Sequence, residues 1–137
     1  MERRAYLQDL RNRAWEGAKT GRGGLTDGEL DWLVQELQQS TDPGEQASII
    51  KTLAIVGKLA HKPLIESFLA GPEPDPAHMA LFVLCRYWDL TADYIDVIAD
   101  FIRGIEWDTD WGECRLWATS IAQEYLLGPL EPQLVDA

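Results

Sequence analysis

The chain has 137 residues, 46% of them hydrophobic and 26% charged, a composition that suits one domain with a single core and excludes wholesale disorder. Its net charge of −11 repels phosphate backbones and so argues against direct nucleic-acid binding. Such a field attracts a basic protein, although acidity also serves solubility alone.

No apolar run approaches a membrane span, and Met1-Glu2-Arg3-Arg4 is not followed by the apolar stretch of a secretory signal. A cytoplasmic location is therefore expected. The charge is uneven: residues 1–23 carry +3, residues 24–71 carry −4 and residues 72–137 carry −10.

Taken in chain order, every segment reads as helix. Ala5–Trp15 places Leu7, Leu10 and Ala14 on one face, and Gly21-Arg22-Gly23-Gly24 then breaks the chain. Those glycines lack the Gly-Lys-Ser/Thr ending of a phosphate-binding loop and read as a connector. Thr26 and Glu29 form a capping box ahead of Leu30, Leu33, Val34 and Leu37. Asp42-Pro43-Gly44-Glu45 is a second start signal, in which Asp caps and Pro takes the first helical position. Ile49, Leu53, Val56 and Ala60 follow. Pro63 opens a further helix through Leu64, Ile65, Phe68 and Leu69, closed by Gly71-Pro72.

The same unit then recurs. Asp75-Pro76 leads into Ala80, Val83, Leu84, Tyr87 and Trp88, and after Leu90 comes a helix with Tyr94, Ile95, Ile98, Phe101 and Ile102, ended by Gly104. Asp108-Thr109 opens a third run through Trp111, Cys114, Trp117, Ala118, Ile121 and Tyr125. Successive openings lie 33 residues apart, the length of helical-repeat units that bury their apolar faces against one another. The expected architecture is a single all-α domain. Its roughly seven helices form antiparallel pairs in a short α-α superhelix: an N-terminal pair over 1–41, then units at 42–74, 75–107 and 108–137, the last incomplete with its tail as a partial cap. Phe68, Val83, Leu84, Trp88, Ile98, Phe101, Trp117 and Ile121 are expected to line the core.

No catalytic or cofactor constellation assembles from these residues. Asp108, Asp110 and Glu113 are too close to the calcium-loop pattern to ignore, but its glycine and its final glutamate are misplaced, and helix-cap acids explain them better. His61, His78, Cys85 and Cys114 offer no close zinc-ligand pair, so no metal is expected. The two cysteines sit in apolar helical patterns and read as buried thiols. Serines lie on or beside helices without a strained nucleophile turn.

Two constellations suit a partner surface. Asp89, Asp93, Asp96 and Asp100 recur at four, three and four residues, which stacks them on one face of the helix after Leu90. Stacked like charges cost a few tenths of a kcal/mol per pair, and a merely solvated face would mix in lysine. Glu106-Trp107-Asp108-Thr109-Asp110-Trp111 interleaves aromatic rings with carboxylates at a loop–helix junction. Its alternative reading is that Trp107 and Trp111 plug the space between units.

The segment Ala80-Leu81-Phe82-Val83-Leu84-Cys85-Arg86-Tyr87-Trp88 carries a resemblance, together with Leu90-Thr91, Tyr94, Ile95, Phe101, Ile102-Arg103-Gly104, Trp107-Asp108, Arg115, Ala118 and Glu124-Tyr125-Leu126. Asp42 to Leu126 resembles bacterial HEAT-like α-helical repeats and, more narrowly, the HEAT-like immunity proteins of polymorphic toxin and contact-dependent inhibition systems. The resemblance implies a cytoplasmic, non-enzymatic protein, monomeric when free, that neutralises one cognate toxin by stoichiometric binding. A basic, nuclease-like toxin domain suits the acidity. HEAT-like scaffolds, adaptors and assembly chaperones are the alternative.

Overall fold

The computed structural model describes residues 2–20, 24–56, 59–108 and 112–127. These residues form no strand, and the fold is all-α. Its helices are α1 (Arg3–Thr20), α2 (Asp27–Gln39), α3 (Pro43–Val56), α4 (Lys62–Ser67), α5 (Pro74–Phe82), α6 (Ile95–Arg103) and α7 (Glu113–Leu127). Short 3-10 turns at Leu59–His61, Phe68–Ala70 and Thr91–Tyr94 and a π turn at Val83–Tyr87 link them.

Start signals mostly act as their residues dictate. Thr26 Oγ1 accepts from the Glu29 amide at 3.2 Å, while the Glu29 carboxylate accepts from the Thr26 amide at 2.8 Å, completing the capping box of α2. Asp42 Oδ1 accepts from the amides of Gly44 and Glu45 at the head of α3. Asp75 departs from the pattern. Glu73 is the flanking residue of α5, no side chain caps it, and Asp75 lies inside the first turn. Pro74 explains the shift, because a proline at the first helical position starts the helix two residues earlier than Pro76 would.

α3 and α5 pack against each other at the centre, with α1 and α2 on one side of α3 and α7 on the far side of α5. α6 closes against α7. The core runs through the whole set, from Leu10 of α1 through Leu33, Ile50, Leu53, Ile65, Leu81 and Leu84 to Phe101, Ala118 and Ile121. Of the expected core, Val83, Leu84, Ile98, Phe101 and Ile121 are buried; Phe68, Trp88 and Trp117 are only half-buried at its margin. For the two tryptophans size is the reason, since such large rings are rarely covered completely, while Phe68 stands in the 3-10 turn that ends α4.

The basic N-terminal segment is packed down. Arg3 bridges Glu36 and Glu45, and Arg13 reaches Glu29 of α2 with both terminal nitrogens, at 2.5 and 2.8 Å. Two of the five basic side chains of α1, Arg3 and Arg13, are thus paired with α2 and α3, and neither reaches the acidic surplus of residues 72–127.

Candidate acidic groove

α6 places the acidic residues. Its apolar positions Ile98 and Phe101 face the core, which turns Asp96 and Asp100 outward. Asp93, in the 3-10 turn that leads into α6, is exposed alongside them. These three aspartates line a groove of about 600 Å³ between α6 and the 3-10 turn Phe68–Ala70. Glu66 of α4 joins them from the opposite wall. The floor is apolar, formed by Leu69, Val97, Phe101, Ile105 and Trp107.

Within the groove Tyr94 Oη donates to Glu66 Oε2 at 3.0 Å, and burial together with that carboxylate pushes the phenol pKa up. Lys62 Nζ stands 5.8 Å from the centre of the Tyr94 ring. Asp100 meets Arg103 at 3.2 Å across a highly exposed pair, which contributes little. Asp93, Asp96 and Glu66 have no ion-pair partner among the described residues.

Trp107 is both wall and plug. Its ring packs edge-on to Phe101, with centroids 6.0 Å apart, and lies flush on Gly71. The two readings of this residue therefore meet in one side chain: it fixes the turn after α4 and still lines the groove. Glu106 beside it is exposed. Asp108 is committed to α7, with Oδ1 accepting from the Cys114 amide and Oδ2 from the Arg115 amide, both at 3.0 Å. Asp110 and Trp111 lie outside the described residues.

Asp89 requires correction. The stripe expected to run from Asp89 to Asp100 begins at Asp93, because the helix after Leu90 starts only at the Thr91–Tyr94 turn. Asp89 precedes it in a left-handed turn at φ 54° and lines a separate pocket with Cys85, Arg86, Thr91, Ile121, Glu124 and Tyr125. The cause is the π turn. Val83–Tyr87 winds wider than an α-helix, so the α register that the spacing assumed is lost before Asp89. Arg86 leaves that turn to donate to Ser120 and Glu124 of α7 at 2.8 and 2.7 Å. Its guanidinium lies 5.7 and 5.4 Å from the ring centres of Phe82 and Trp117.

A second polar cluster joins α5 to α7. The ligand atoms of Asp75, His78 and Glu113 lie within 4.8 Å of one another. His78 Nδ1 stands 3.0 Å from the Pro74 carbonyl and 3.4 Å from Glu113 Oε2. Burial, a hydrogen bond to Asp75 and the charges of Asp75 and Asp108 raise the Glu113 pKa, opposed by His78. Both carboxylates sit in first turns of helices, which favour anions without any metal, and a proton on Glu113 relieves the crowding. Cys85 and Cys114 are free and buried, their thiol pKa values pushed up to about 11 and about 12, so neither is a thiolate at neutral pH.

Reasoning from the chain alone missed Glu66, Leu69, Val97 and Ile105 as parts of the groove, since α4 and α6 come together only through tertiary packing. It also missed the Asp75–His78 pair, although their spacing of three on one helix was legible.

Comparison with known proteins finds no matching family model, no matching curated protein and no matching solved structure. Among the described residues no helix is long and apolar enough to cross a membrane.

Proposed function

We propose that this protein is an immunity-type inhibitor, a binding protein that neutralises a basic, nuclease-like toxin domain in a stoichiometric complex. One observation carries the reading. Arg3 and Arg13 of α1 are held by carboxylates of α2 and α3, while exposed Asp93 and Asp96 and half-buried Glu66 line a groove without ion-pair partners among the described residues. Carboxylates in that arrangement imitate the phosphates of a nucleic acid and complement a positive substrate groove. Both cysteines are buried thiols whose pKa values are pushed up, and among the described residues no activated nucleophile stands beside a base, which fits binding better than catalysis.

The test is a pull-down of the product of the upstream gene with this protein as bait, followed by growth on co-expression. A one-to-one complex that rescues growth supports inhibition. Absence of both complex and rescue sinks it, and moves the reading to a HEAT-like scaffold, adaptor or assembly chaperone.

A further inference from the structure

We infer that the groove between α6 and the Phe68–Ala70 turn receives an amphipathic basic helix of the partner, whose apolar side chains enter the groove while its lysines or arginines meet Asp93, Asp96 and Asp100. This deepens the reading above and rests on its premise that the acidic face binds a basic protein. Charge alone would make a diffuse surface. What makes this one selective is that its carboxylates rim an apolar floor of Leu69, Val97, Ile105 and Trp107, all half-buried and hence still partly open to a ligand.

The dimensions suit side chains rather than a whole backbone. A volume of about 600 Å³ holds a few large apolar side chains, so the partner helix lies across the mouth and inserts them. Asp93, Asp96 and Asp100 span about two helical turns, roughly 10 Å. Basic residues three, four or seven apart on a partner helix repeat over the same distance. A strand is the poorer fit, because alternate residues on one face recur about every 6.6 Å and fall out of step with the helical spacing. Nucleic acid, which also presents regularly spaced charge, carries the wrong sign.

Trp107 gives the occupant an aromatic contact and gives the experimenter a reporter. Its ring is already fixed by Gly71 and Phe101, so little side-chain entropy is lost on binding. A rigid aromatic ring that becomes fully buried on binding is where binding energy concentrates.

The probe is a synthetic leucine–lysine helix of about 18 residues with lysines three and four apart and leucines on the adjacent face, set against a shuffled peptide of the same composition. Binding to the isotopically labelled full chain is followed by nuclear magnetic resonance at low salt. The expected result is about ten-fold tighter binding of the amphipathic peptide than of the shuffled one, with shifts concentrated at the Trp107 indole, Leu69, Val97 and Ile105. Asp96→Lys, at an exposed position, should remove that preference, and the charge-neutral Val97→Asn should remove it at unchanged net attraction for the shuffled peptide. Equal affinity for the two peptides, shifts spread over the acidic surface, or no binding would each overturn the inference. Peptide preference without growth rescue removes the immunity reading and leaves the groove. Rescue without peptide preference does the reverse.

Discussion

Gly71 is the residue on which the wall of the groove turns. Its φ of 75° lies in the left-handed region, and a β-carbon built there would stand 2.3 Å from Trp107 Cε2. Gly71→Ala therefore combines backbone strain with a collision against a ring that Phe101 prevents from retreating. The expected loss is about 2–4 kcal/mol, measured by urea unfolding. In a Trp107→Ala background the same substitution should cost about 1–2 kcal/mol, because only the backbone component is left. Equal costs in both backgrounds would show that the ring is not what confines Gly71. Glu113 makes a different prediction at the same scale. Its folded-state pKa is raised, so its contribution to stability is complete below the unfolded value and is lost as pH rises through the folded one. Glu113→Gln should raise the melting temperature at neutral pH and flatten its decline on the alkaline side of pH 4.5. His78, Asp75 and Asp108 surround it, so the flattening should be partial. A variant with an unchanged melting temperature and pH slope would mean that solvent already screens the crowding.

At the scale of elements, α2 shows what a local sequence pattern can specify. Thr26 and Glu29 close their capping box, and Arg13 of α1 then seizes the same Glu29 carboxylate, so one side chain caps a helix and docks another. Arg13, then the Thr26 amide, holds the Glu29 pKa below the usual carboxylate range. That stabilisation is present above about pH 4.5 and disappears as pH falls through the depressed value. Thr26→Ala should cost about 1 kcal/mol. Arg13→Ala should cost less than about 1 kcal/mol, since its side chain is exposed, and should raise the pH midpoint of acid unfolding. The capping box, the Asp42 start and the Gly104 stop were legible because each needs only residues within a turn of one another. The head of α5 and the path of residues 83–90 were not. The π turn at Val83–Tyr87 is not anticipated by a period of 3.6, and it detached Asp89 from the stripe. The groove was half legible: its α6 rim followed from spacing, while its opposite wall depended on where α4 came to rest.

Over the whole molecule, charge acts in two directions, and ionic strength separates them. Screening weakens the attraction of Arg3 for Glu36 and Glu45 and of Arg13 for Glu29, which lowers stability as salt is added. It also weakens the mutual repulsion behind a net charge of −11, which raises stability. The attractive pairs are exposed on the arginine side and each contributes at most about 1 kcal/mol. The repulsion falls chiefly on residues 72–127, where Arg86, Arg103 and Arg115 are the only basic side chains, and Arg86 and Arg103 are already paired. Repulsion should win, and the melting temperature should rise between about 20 mM and 0.5 M salt, over which the screening length shortens from roughly 20 to 4 Å. The triple substitution Asp93→Asn, Asp96→Asn, Asp100→Asn removes the exposed stack. It should leave stability at low salt within about 0.5 kcal/mol of the parent, since relief of repulsion is offset by loss of the Asp96 charge from the first turn of α6, and should reduce its salt dependence. If the stack also steers a basic partner, the same variant should associate more slowly at low salt and lose most of the rate advantage that low salt gives the parent. A side-chain set whose neutralisation leaves folding intact and harms association is held for its partner. A triple variant that is destabilised instead would make these aspartates part of the fold, and one that associates at the parental rate would make them solvation.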